Sequence, residues 1–159
     1  KDWGWRLHVA SSEAGLATGL MAVWSGCIWG AAEWGVPWDW TDIRLNTFAI
    51  LTLLALFLVL GRRTQPDGVE TRDTFATFGM YGFVLVPITY LATRFWQIRH
   101  PGPVVATNEG SLNSDMGLVL ALGAISFTML VTGHILSGMK LTKLELRFEE
   151  LQKEYEERF

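Results

Sequence analysis

The chain has 159 residues, 50% of them apolar and 18% charged, with a net charge of −3 and a mean hydropathy of +0.24. The lack of a basic excess argues against a nucleic-acid binder. A single cysteine, Cys27, excludes a disulfide framework, a thiolate zinc site or a Cys-x-x-Cys redox pair within the chain.

The distribution of charge is more informative than its amount. Four stretches, Ala14–Ala32, Leu45–Gly61, Thr74–Thr93 and Met116–Met139, contain no Asp, Glu, Lys or Arg over 19, 17, 20 and 24 residues. About 20 apolar residues at a rise of about 1.5 Å cross a bilayer core of roughly 30 Å. The pattern predicts an all-α, multi-pass integral membrane bundle with four transmembrane helices, at about 14–32, 45–61, 74–98 and 116–138. Residues 1–138 form the membrane domain and 139–159 a charged tail. No cleavable signal peptide is expected, because the first apolar run leads into a tryptophan-rich segment and not a small-residue cleavage site.

Flanking charge predicts the orientation. Lys1, Arg6, Arg62, Arg63, Arg72 and the five basic residues of the tail make 10 of the 13 basic residues, all on one side. Only Arg44, Arg94 and Arg99 fall on the other. The positive-inside bias therefore predicts cytoplasmic termini, with the first and third connections outside a cell (plasma or inner) membrane. The Gly61–Gly68 segment, rich in turn residues, reads as a plain inner loop.

The first outer connection carries four of the eight tryptophans, Trp29, Trp34, Trp38 and Trp40, together with Asp39, Asp42 and Arg44. An aromatic belt at the headgroup level is one reading. The other is a site for a flat, largely apolar ligand bearing carboxylates: indoles stack on it, and a guanidinium pairs with a carboxylate. Haem is such a ligand. On the second outer connection Trp96 and His100 are four residues apart, hence on one helical face, and Pro101 ends the helix. A neutral imidazole there is a candidate haem-iron ligand, with a solvated helix end as the plainer alternative. Arg44, Arg94 and Arg99 all flank this region, which suits an anionic ligand, or else arginines that snorkel.

In the tail, Leu141, Leu144, Phe148, Leu151 and Tyr155 recur at spacings of 3, 4, 3 and 4, an apolar stripe on a C-terminal amphipathic cytoplasmic helix. A docking or coiled-coil helix for a partner subunit and an extension lying on the protein or on membrane lipids both fit.

These outer segments resemble the haem-handling proteins of cytochrome c maturation, and most closely the family called cytochrome c maturation protein C or haem exporter protein C. Its tryptophan-rich signature, W-G-x-x-W-x-W-D-x-R-L, is matched by Trp34, Gly35, Trp38, Trp40, Asp42, Arg44 and Leu45, after a phrase matched by Ser25, Gly26, Ile28, Trp29 and Gly30. Its second outer loop is matched by Pro87, Ile88, Trp96 and His100. Thr41 separates Trp40 from Asp42 where the family has Trp followed directly by Asp, so Asp39 is a rival for the role of Asp42. Pro37 stands at an aromatic position. The family has six spans and a further haem-ligand histidine in its first outer loop, so the chain reads as the later two-thirds of such a protein.

The resemblance implies binding of haem b at the outer face by Trp34, Gly35, Trp38, Trp40, Asp42, Arg44, Trp96 and His100, with His100 on the iron. Haem would pass to a haem chaperone, with ABC transporter subunits and a small membrane subunit as partners. No Walker A motif and no catalytic cluster is present, so a transport or handling role is expected and not an enzyme. Rival readings are a subunit of a cytochrome c synthetase of the same superfamily, an electron-transfer haem b subunit, which would need paired histidines on facing helices, and a structural subunit with a heavy aromatic belt. His8 and His134 are each about a membrane thickness from His100 and cannot be its trans ligand.

Overall fold

The computed structural model describes residues 2–95 and 113–158. Among them every regular element is α-helical: α1 (Asp2–Trp34), α2 (Ile43–Thr64), α3 (Val69–Phe95) and α4 (Ser114–Glu156). Each contains a window long and apolar enough to cross a membrane, with mean hydropathy of 1.3, 2.2, 1.4 and 1.9 in turn. The predicted all-α bundle of four membrane-crossing lengths is therefore what the chain forms.

The helices run longer than the charge-free stretches. α1 begins at Asp2, so residues 2–13, which precede the charge-free stretch, are its first three turns. Residues 61–64 continue α2, and the inner loop shrinks to 65–68. α4 is a single 43-residue helix joining span and tail without a break. α3 is described as far as Phe95 and contains Pro87, which lacks the backbone N–H of other residues.

The buried core sits at the end of the bundle that carries the inner loop. Trp5 and Val9 of α1 meet Leu58 of α2 and Phe75 of α3, with Leu54 and Leu146 against them. Close approach fixes small residues here. A Cβ on Gly138 would lie 3.1 Å from that of Ala10, and one on Gly61 would lie 2.9 Å from the Phe75 ring. Further along, the helices expose apolar side chains. In lipid that exposure costs nothing, since acyl chains are as apolar as leucine.

Ion pairs close the same end. Glu13 receives Arg62 at 3.2 Å and Arg63 at 3.6 Å. Arg72 pairs with Asp67 at 2.6 Å and Asp2 at 3.0 Å, and its guanidinium lies 5.7 Å from the Trp5 ring centroid. The hydrogen bond from Arg72 holds the Asp67 carboxyl below the usual carboxylate range. Arg6, Lys143, Arg147 and Lys153 gather around this end, whereas Arg44 lies at the opposite one.

Candidate functional site

At the far end, α1 stops where glycine permits it. Gly35 takes φ +74°, the left-handed conformation that ends many helices and that side chains disfavour. The chain then doubles back over α1. A Cβ on Gly30 would stand 3.1 Å from the Val36 carbonyl and 3.4 Å from the Trp34 ring, so the loop rests on a bare backbone.

Asp42 starts the next helix. Its carboxylate accepts the N–H of Arg44 at 2.9 Å and of Leu45 at 3.2 Å, the N-cap arrangement that satisfies orphan donors of the first turn. The residue is 6% exposed. Asp39 instead closes its own turn, accepting Thr41 N–H at 2.9 Å and the Thr41 hydroxyl at 2.7 Å. The inserted Thr41 is thus held by Asp39, and Asp42 keeps its place at the head of α2. Asn46 donates to the Trp40 carbonyl at 2.7 Å and ties the loop to the helix behind it.

These constraints enclose a cleft of about 380 Å³. Its far wall is Trp29, Trp34 and Trp38, its floor is Val23 and Gly26 of α1, and its near wall is Arg44, Leu45 and Phe48 of α2. Trp29 and Trp34 meet edge to face at 4.9 Å and 77°. Trp38 and Trp40 do so at 5.9 Å and 62°. Small-molecule sites are typically about 300–1,000 Å³, mostly apolar, with few polar groups. Two polar groups stand out here. Arg44 contributes a guanidinium, and the Trp38 Nε1–H is buried with no hydrogen-bond partner among the described residues. An unmade hydrogen bond on a buried donor costs about 1–3 kcal/mol, so this N–H is the one polar group of the tryptophan wall whose partner is wanting. Indole faces, a free donor and a guanidinium fit a planar ligand with carboxylates, haem among them.

The structure brings together Trp34, Trp38 and Arg44 of the expected set and adds Trp29, Gly26, Val23 and Phe48. Trp40 is 79% exposed and lies outside the cleft, touching it through Trp38. Gly35 and Asp42 serve the backbone and not the lining. Trp96, Arg99 and His100 lie outside the described residues, as does the side chain of Arg94. The sequence held a signal for Trp29, which shares the tryptophan cluster, and for Gly26, one helical turn before Gly30. Phe48 carried none, since it reads as one more apolar residue of the Leu45–Gly61 stretch. Ala22 and Phe48 also border a larger groove of about 650 Å³ between α1, α2 and α3, which Phe127 of α4 also lines, with His8 at its other end. The His8 ring stacks on Trp5 at 5.4 Å. Among the described residues no group of three or more His, Cys, Asp or Glu is placed to hold a metal ion.

Four long apolar helices, an ionic end and an aromatic cleft at the opposite end define a multi-pass helical membrane protein with a candidate small-molecule site at one end of its bundle. Comparison with known proteins gives the particular kind. The chain belongs to the Heme exporter protein C family, whose pattern it matches over residues 5–154. It is 30% identical over 144 residues to the Heme exporter protein C of Bradyrhizobium diazoefficiens, covering 90% of this chain and 54% of that one. It is 30% identical over 149 residues to that of Rhodobacter capsulatus, covering 90% and 58%. With the Paracoccus denitrificans protein it shares 32% over 106 residues, covering 64% and 42%. The chain therefore spans about half the length of the curated relatives it matches. No solved structure matches it.

Proposed function

We propose that this chain binds haem b at the outer face of the cell membrane and hands it on for cytochrome c maturation. Haem is its cargo, so the chain acts as a carrier and not a catalyst. The observation that carries this reading is the cleft bounded by Trp29, Trp34, Trp38 and Arg44, with its unsatisfied indole N–H. Family membership supports it: the relatives are named for haem export.

The division of labour follows from the chemistry. Indoles cover the faces of the macrocycle and exclude water. Arg44 pairs with one propionate in the two-point fashion open to a planar guanidinium. Trp38 Nε1 donates to a carboxylate oxygen or a bridging water. His100, four residues after Trp96 in the sequence, supplies an imidazole to the iron, which fixes the cargo more firmly than stacking does. Gly35 and Asp42 act by setting the two walls. The recipient is a haem chaperone, and ABC transporter subunits with a small membrane subunit are the partners of this step. The 10-to-3 division of basic residues supports an outward-facing cleft and cytoplasmic termini.

The test is the haem content and absorption spectrum of the purified protein. His100→Ala is expected to lose haem or change its axial-ligand spectrum while still inserting in the membrane, and His134→Ala to do neither. Unchanged haem content and spectrum in His100→Ala overturn the ligand assignment.

A further inference from the structure

Asn46 stands where its side chain has little reason to be. It is the one Asn or Gln in the charge-free stretch Leu45–Gly61, and it lies in the first turn of α2. A short amide is a poorer helix former than the leucines around it, and withdrawing its polar atoms from water is unfavourable unless they are paired. Its Nδ2 donates to the Trp40 carbonyl at 2.7 Å, six residues back along the chain. A carbonyl only accepts, so the group that faces it is the amide nitrogen. That leaves Oδ1 at the other end of the amide, buried and with no hydrogen-bond partner among the described residues. The side chain thus accepts an unpaired oxygen in order to place its nitrogen on Trp40.

The Trp40 carbonyl is a point of leverage. Asp39 closes on Thr41, and Asp42 on Arg44 and Leu45, contacts within three residues that shape the turn and the start of the helix. The Asn46 bond instead joins helix to loop. Trp40 is 79% exposed and lies outside the cleft, yet its ring meets that of Trp38 edge to face at 5.9 Å and 62°. Trp38 in turn lines the cleft. A ring so exposed has few neighbours to hold it, and its place against Trp38 follows from where its backbone is fixed.

We infer that Asn46 is a positioning residue for the aromatic cleft: by holding the Trp40 carbonyl it keeps the Trp40 ring braced on Trp38, and Trp38 in the wall. The consequence for haem retention rests on the function proposed above; the hold on the tryptophan pair does not.

The experiment compares the full chain with Asn46→Asp and Asn46→Leu, purified in detergent. Aspartate keeps the size of asparagine and, ionised at neutral pH, has no side-chain donor. Leucine keeps a similar volume and removes both the donor and the unpaired oxygen. Near-UV circular dichroism of the haem-free proteins reads the packing of the indoles. Both variants are expected to lose the same part of that signal while the far-UV helical signal is kept. In a Trp40→Ala background, where the pair is gone, Asn46→Asp is expected to change the near-UV signal no further. Haem dissociation, followed by absorption, is expected to quicken roughly two- to tenfold in both variants, the worth of one neutral hydrogen bond. Trp40→Ala is expected to quicken it too, with Asn46→Asp adding nothing to that background. A near-UV signal equal to the parent's in both variants, or a loss undiminished in the Trp40→Ala background, overturns the inference. Loss in Asn46→Asp alone, with Asn46→Leu like the parent, marks the effect of a misplaced charge and overturns it too. So does parental haem retention in both variants when the parent holds haem. A parent that retains no haem, with an indole signal that still depends on Asn46, overturns the haem reading and supports the positioning role.

Discussion

The carboxylate of Asp42 accepts the backbone N–H of Arg44 at 2.9 Å, so the residue that starts α2 also sets the position of the guanidinium in the aromatic cleft. An acidic residue in a tryptophan-rich signature invites a role in ligand contact. One of its oxygens, Oδ1, instead caps the helix, and through that cap Asp42 acts on the position of Arg44. Asp42→Ala is expected to destabilise the fold by about 0.5–2 kcal/mol, the usual cost of a lost N-cap. Asp42→Asn, which keeps an accepting oxygen, should retain most of that stability. Thermal unfolding of the three proteins in detergent checks this order. An Asn variant as weak as the Ala variant would show that the charge matters and the cap does not.

The orphan N–H of Trp38 separates two effects of one substitution. Trp38→Phe keeps a ring in the wall and removes the donor. Without ligand it should leave stability unchanged or slightly raised, because a buried unmade hydrogen bond disappears. With haem, a hydrogen bond to a charged acceptor is worth about 1.5–3 kcal/mol, which corresponds to roughly ten- to hundredfold faster loss of the ligand. Haem dissociation and ligand-free melting, measured together, distinguish a donor from a mere wall residue.

The rest of the cleft should respond in graded fashion. Trp34→Ala and Trp29→Ala are expected to weaken retention stepwise, since aromatic contacts contribute on the order of 0.5–1.5 kcal/mol beyond burial. Any haem that remains should keep its axial-ligand spectrum. Arg44→Lys should cost more than its unchanged charge suggests, because an ammonium cannot make the paired contact of a guanidinium. Haem per protein across the series is the measurement; a flat ratio would make the tryptophans a membrane belt.

Gly26 offers a way to block the site without breaking the fold. A Cβ there meets nothing within 4 Å, and the residue forms part of the cleft floor. Gly26→Leu is expected to fill the cleft, retain normal melting and abolish haem retention. At Gly30, where a Cβ would press on the Val36 carbonyl at 3.1 Å, Gly30→Ala should lower both stability and retention by displacing the loop. Equal loss of melting temperature in the two variants would contradict this division.

Acid should loosen the opposite end. Because Arg72 holds the Asp67 carboxyl below its ordinary range, Asp67 stabilises the folded state above the unfolded pKa of about 3.9 and loses that contribution as pH falls. Asp67→Asn is therefore expected to melt lower than the parent by a constant margin above about pH 5. The margin should shrink below about pH 4 as the parent's carboxyl protonates. Melting curves across that range test it, and a margin that persists at low pH would refute the linkage.

Much of this molecule was legible in the sequence because lipid simplifies the problem. A helix that must satisfy its own backbone in an apolar solvent shows itself as a charge-free run, and the four runs Ala14–Ala32 to Met116–Met139 became four helices. The tryptophan cluster and Arg44 were equally visible, since each is a local pattern. What local pattern does not carry is where helices end and which way side chains turn. Charge marks the edge of the apolar run and not the end of hydrogen bonding, so α1 gained its first three turns and α4 its 43-residue length only when the helices were assembled. The exposure of Trp40 and the entry of Trp29 and Phe48 into one cleft depend on the way the loop folds back over Gly30. That path comes from contacts between α1 and α2, residues distant in the chain, and only tertiary packing decides it.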